Sequence, residues 1–153
     1  MLVAAALFML TLVISSTSSN AQKLQDKYFD NLNSNGVIID GYDPVAFFTD
    51  SMPVKGSANY SYNWKGADWL FASTEHLDQF KADPEKYAPQ FGGYCAYGCS
   101  QGHKAPTKPE TWTIVSGKLY LNYNGDVKKM WTADRDALIE KANTNWPTVK
   151  TQK

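Results

Sequence analysis

The sequence has little of the chemistry from which most active sites are built. Its 153 residues hold only two cysteines and two histidines. Neither histidine sits in a nucleophile motif, so no Ser/His/Asp set is credible. Charge of either sign is not in excess: 15 Lys and Arg balance 15 Asp and Glu. With no basic surplus to release counterions from a phosphate backbone, nucleic acid is not an expected partner. A phosphate-binding glycine loop is also missing, because Gly92-Gly93 lacks the spacing of either common pattern. The one long apolar run, Leu2 to Ile14, would span only about 20 Å as a helix, against about 30 Å for a bilayer core.

That run is informative in another way. No charged side chain precedes Lys23, and Ser15 to Asn20 is small and polar. Ser19-Asn20-Ala21 puts small residues at the −3 and −1 positions of a cleavage site. The pattern predicts a signal peptide over residues 1–21 and a mature chain from Gln22, exported to the periplasm or the exterior, with no integral membrane segment left after cleavage. Beyond it, residues 22–36 read as a polar lead-in, 37–147 as one domain and 148–153 as a tail. The five Trp, nine Tyr and seven Phe could line a sugar-binding face, but a dense aromatic core is the favoured reading.

The fold class expected is α+β: a small single domain of short antiparallel hairpins and several short helices. Val37-Ile38-Ile39 reads as a buried strand. Asp43-Pro44 and Asp83-Pro84 each read as a helix start, with Asp as cap and Pro in the first turn. Tyr60 to Trp64 and Trp69 to Phe71 form a hairpin around Lys65-Gly66-Ala67-Asp68. Trp112 to Val115 and Lys118 to Asn122 form another around Ser116-Gly117. Ser73 caps a helix from Thr74 to Ala82, on which His76 reads as a solvated surface residue. Tyr94 to Ser100 is a short helix. Helices are also expected around Val127 to Trp131 and from Ala133 to Asn145, the latter capped by Thr132 and closed by Trp146-Pro147.

Cys95, Cys99 and His103 carry the chemical signal. On a continuous helix their spacing of four would align them on one face. Two thiolates and an imidazole suit copper or zinc. Gly98 and Gly102 interrupt the stretch, which puts His103 near or past a helix end. Three other readings stay open. Export favours a Cys95–Cys99 disulfide, although helical Cβ atoms four residues apart point the same way and not at each other. Either cysteine could be an inert core residue. Cys95, after Gly92-Gly93, could be a reactive thiol at a helix start, with Cys99 as resolving partner.

Trp69-Leu70-Phe71-Ala72-Ser73, Phe80 and Asp83-Pro84-Glu85-Lys86-Tyr87 resemble the core of the YHS domain. Gly41 to Phe48, Tyr87 to Tyr97, Trp112 to Asn122 and Trp146-Pro147 resemble the longer, exported YHS-domain proteins. The resemblance implies a small domain that binds heavy metals such as copper, and no defined reaction. Ala72 stands where the short modules have Cys, and their upstream Cys pair is absent, so their metal site does not carry over. Cys95 matches the exported group; Cys99 and His103 are not part of its common pattern. The expectation is therefore metal handling or sensing through Cys95, Cys99 and His103. A thiol-redox protein or a non-catalytic domain that binds an unknown protein partner are the alternatives.

Overall fold

A computed structural model describes residues 29–153. The expected signal peptide and residues 22–28 lie outside the described residues. The described residues form an α+β domain of six helices and two separate antiparallel hairpins. Strands β1 (Ser57–Trp64) and β2 (Ala67–Phe71) come first, after helix α1 (Ala46–Thr49). Helices α2 (Thr74–Ala82), α3 (Pro84–Tyr87) and α4 (Ala96–Ser100) follow. The second hairpin, β3 (Lys108–Val115) and β4 (Lys118–Asn122), leads into α5 (Gly125–Ala133) and α6 (Arg135–Val149). Among the described residues no helix is long and apolar enough to cross a membrane.

Local chemistry accounts for most of these boundaries. The β1–β2 turn is only Lys65-Gly66, both at positive φ (48° and 78°), the backbone that a two-residue hairpin turn requires. Ala67 and Asp68, expected in the loop, already pair within β2. Ser73 caps α2 by accepting from the His76 N–H at 3.2 Å, and Asp83 caps α3 by accepting from the Lys86 N–H at 3.3 Å. Gly56 is required by contact: a Cβ there would lie 2.5 Å from the Leu70 carbonyl carbon.

Three local expectations are corrected. Val37 to Ile39 is not a strand. Val37 and Ile38 make only isolated bridges, to Asp68 and Leu32, and Ile39, Asp40 and Gly41 all turn left-handed at φ of 51°, 51° and 79°. That turn delivers Gly41 and Asp43 to Val54 and Gly56, whose backbone groups they bond at 2.9 Å. Thr132 is no cap; it lies inside α5 with its hydroxyl donating back to the Lys128 carbonyl at 2.7 Å. The chain breaks instead at Asp134, and α6 runs through Trp146 and Pro147 to Val149.

The aromatics form the core, as favoured. Phe29, Trp69, Phe71 and Phe80 are fully buried in one cluster, with Tyr60, Tyr62 and Trp64 from alternate positions of β1 packed against it. Phe91, Tyr120 and Trp131 anchor a second cluster with Cys99, Ala142 and Val149. Strand β4 is the wall between them. Leu119 and Leu121 enter the first cluster and Tyr120 the second, because successive side chains point to opposite faces. Phe29 and Val149, on either side of the 37–147 span, are both buried.

Phe80 meets Trp69, Phe71 and Trp64 at ring-centroid distances of 4.8, 5.1 and 5.6 Å. Phe80→Ala should therefore lower unfolding free energy by about 3–5 kcal/mol, read by urea denaturation at neutral pH. A loss under about 1 kcal/mol would contradict this packing.

Candidate functional site

The cysteine segment is placed by a sharp reversal. After α3, Phe91, Gly92 and Gly93 all adopt positive φ (55°, 61°, 83°), which turns the chain back under β4. The Gly93 carbonyl is held there by Asn31 Nδ2 and Thr107 Oγ1, each at 2.7 Å. Cys95 then bonds the Ala105 carbonyl through its own N–H at 3.0 Å and opens α4 as its cap residue, with Sγ accepting from the Gly98 N–H at 3.4 Å. The helix is only five residues long.

Cys95 is nearly fully buried but not in an apolar setting. Its thiol donates to Asn122 Oδ1 at 3.5 Å, and the same oxygen accepts from the Tyr97 N–H at 3.2 Å. Asn122 is itself fully buried at the end of β4, and its Nδ2 has no partner among the described residues. An unpaired buried donor costs roughly 1–3 kcal/mol, which sets this amide apart from the bonded polar groups around it.

The expected helical face of three ligands does not form. Helix α4 stops at Ser100, Gly102 turns left-handed at φ 88°, and the His103 N–H returns to the Gly98 carbonyl at 3.1 Å. His103 therefore folds back over Gly98 instead of extending the face, as the glycines foreshadowed. Cys95, Gly98, Tyr97, His103, Ala105, Tyr123 and Val127 line a shallow, mostly apolar pocket of about 270 Å³. Cys99 is not among them. It points into the second core cluster and is fully buried. Both thiols are free, so the disulfide is not formed. Among the described residues, no group of three or more His, Cys, Asp or Glu side chains is arranged to hold a metal ion.

Burial pushes the Cys99 thiol up from its ordinary value of 9.0 to about 12; the neighbouring Cys95 adds to the rise, and Lys104 opposes it. Tyr94, packed against the second core cluster, is also raised, by burial first and then by its hydrogen bond to Asp30. Lys104 lies over the Tyr94 ring at 5.0 Å and pairs with Asp30 at 3.0 Å, which ties the residue 30 region to this segment.

Two residues carry more than the sequence indicated. Asn122 ends an apolar strand run with no pattern to distinguish it from a strand-end polar residue. His76, expected to be solvated, is only 13% exposed, with Nδ1 2.7 Å from Oδ2 of the buried Asp43. A histidine 33 residues from its partner leaves no local signal.

Residues 45–91 match the YHS domain. The match runs from α1 through α3 and stops at Phe91, before Cys95, Cys99 and His103. YHS domains are generally associated with metal handling, copper in particular. No curated protein and no solved structure matches the chain.

Cys99 gives a pH-dependent prediction. The folded chain keeps this proton where the unfolded chain loses it, so the stabilisation is complete below pH 9 and is lost as pH rises toward 12. Between pH 8 and 10.5 the wild type should lose unfolding free energy more steeply than Cys99→Ala, by no more than about 1.4 kcal/mol per pH unit. Parallel slopes in urea titrations of the two proteins would refute it.

Proposed function

We propose that the domain binds a soft metal ion, with Cu(I) the best chemical match, through the Cys95 thiolate and the His103 imidazole. The observation that carries this reading is that these two donors line one pocket while Cys99 faces the core. The fit rests on the donor set and on the room around it. A Cβ on Gly98 would lie 3.2 Å from the His103 carbonyl oxygen, 3.4 Å from Ala105 Cβ and 3.5 Å from His103 Nε2, so a larger side chain there would crowd the His103 ring. Thiolate with imidazole selects Cu(I) over harder ions. Zinc in a closed structural site takes four protein ligands, which this pocket does not offer. The metal would supply a soft Lewis-acid centre; the chain's own part is to hold the Cys95 sulfur at the start of α4, where it accepts from the Gly98 N–H, and to keep bulk water off it. Two protein donors suit handling or sensing of the ion.

A redox role with Cys99 as resolving thiol has less support. A fully buried thiol with its pKa raised to about 12 is almost entirely protonated at neutral pH and is poorly placed to attack. We further propose that the domain acts outside the cytoplasm after removal of residues 1–21, a reading that rests on the apolar run and the Ser19-Asn20-Ala21 junction. Mass spectrometry of the secreted or periplasmic protein should show Gln22 at its amino terminus; an intact amino terminus would count against it.

Cu(I) titration against a chromophoric chelator, under reducing conditions, tests the metal reading. Wild type should bind about one equivalent, and Cys95→Ser should bind none. His103→Gln should bind at least tenfold more weakly, since changes even to the partners of a ligand cost about 10–100-fold. Cys99→Ala should match wild type. Equal binding by wild type and Cys95→Ser, or none by either, overturns the proposal.

A further inference from the structure

A second polar cluster lies where α1 meets α2, away from the cysteine pocket. Its root is Asp43, a fully buried carboxylate with every acceptor position in use. Oδ1 accepts from the Val45 and Ala46 N–H groups at 2.8 and 3.3 Å. Oδ2 accepts from the Ala72 N–H at 2.8 Å and lies 2.7 Å from His76 Nδ1. An ionised carboxylate only accepts, so the ring donates from Nδ1. That bond fixes the imidazole's orientation and leaves Nε2 as its outward atom.

Nε2 lies 3.3 Å from Thr49 Oγ1 and 3.9 Å from Asp50 Oδ1, and the Thr49 hydroxyl donates to Asp50 Oδ1 at 2.9 Å. In the neutral ring Nε2 carries a lone pair. Three lone-pair atoms then converge with a single hydroxyl proton among them, one that the Val45 carbonyl at 3.2 Å also competes for, an arrangement that a cation relieves. A carboxylate bonded to Nδ1 with Nε2 left free is also how proteins orient histidine ligands toward a metal.

The distances suit a small ion. Donors about 2.0–2.1 Å from a tetrahedral centre sit about 3.3–3.4 Å apart. Nε2 and Oγ1 already have that separation. Asp50 needs to move by roughly half an ångström to join the same tetrahedral shell, and its side chain is 39% exposed and free to do so. We propose that His76 Nε2 and Asp50 Oδ1, with Thr49 Oγ1 at the rim, hold a borderline divalent cation such as Zn²⁺, with water completing the shell. Two side-chain ligands make the site open, so binding is exchangeable and not structural. The three residues lie within the segment that matches the YHS domain, and the site is independent of Cys95 and His103. The competing occupant is a proton, giving an imidazolium that bridges Asp43 and Asp50.

The test is Zn²⁺ alone titrated into the full chain at pH 7.5, followed by calorimetry and by NMR of the histidine rings. Wild type should take up about one Zn²⁺ with a large shift of the His76 ring signals. Asp50→Asn, a change at an exposed residue outside the core, should weaken binding at least tenfold. Cys95→Ser and His103→Gln should leave it unchanged. The proposal is overturned by wild-type affinity in Asp50→Asn, by loss of Zn²⁺ in Cys95→Ser, or by a His76 ring that responds to pH but not to Zn²⁺. Because the cysteine pocket is read with Cu(I), either site can fail without the other.

Discussion

The buried carboxylate of Asp43 is the constraint on which the amino-terminal half depends. A charged group with no exposed surface has to have its lone pairs satisfied by the protein, and a group left unpaired would cost several kcal/mol. Asp43 meets that demand with bonds to three segments: the start of α1, the residue after β2, and His76 on α2. One side chain thereby sets the distance between the first helix and the first hairpin. The hairpin in turn holds Trp69 and Phe71 against Phe80, so the aromatic cluster and the polar tie reinforce each other.

Strand β4 plays the corresponding part for the other half. Its alternation supplies both clusters at once, which makes β4 an internal strand buried on both faces from Leu119 to Asn122. The strand ends at Asn122, and there the wall turns polar. The Asn122 backbone N–H is pinned by Thr111 Oγ1 at 2.8 Å, while its side chain reaches the Cys95 thiol and the Tyr97 amide. The site is thus built on a strand end and a short helical turn, both held by buried hydrogen bonds. α6 secures the far side, with Asn145 donating to the Cys99 and Ser100 carbonyls at 3.1 and 3.0 Å.

Much of the architecture was legible because it rests on local chemistry. Both hairpins, the Ser73 and Asp83 caps and the extent of α2 follow from turn residues, capping residues and periodicity within a few positions. The failures have a common cause. Val37 to Ile39 has the β-branched composition of a strand, yet the chain turns left-handed from Ile39 to Gly41, and Gly41 and Asp43 bond Gly56 and Val54. Thr132 has the chemistry of a cap but spends its hydroxyl inside α5. His76 looks like a surface histidine because the carboxylate that holds it is 33 residues away.

The same division applies to the candidate site. By itself the sequence determined the residue types and their spacing: two cysteines, one nearby histidine, and two glycines, of which Gly98 lies within α4 and Gly102 turns the chain before His103. Those follow from covalent order and backbone preference, which act over a few residues. Only the tertiary structure decided that Cys95 meets the Asn122 amide and a pocket shared with His103, while Cys99 sinks into the second core. It also decided that His76 is a fixed ring and not a solvated one. Cys95 is the cap residue with non-helical backbone (φ −57°, ψ 119°) while Cys99 lies inside the helix, so the two thiols do not share the face that a helical spacing of four would give them; which one meets the pocket is set by what packs around them, β4 on one side and α6 on the other.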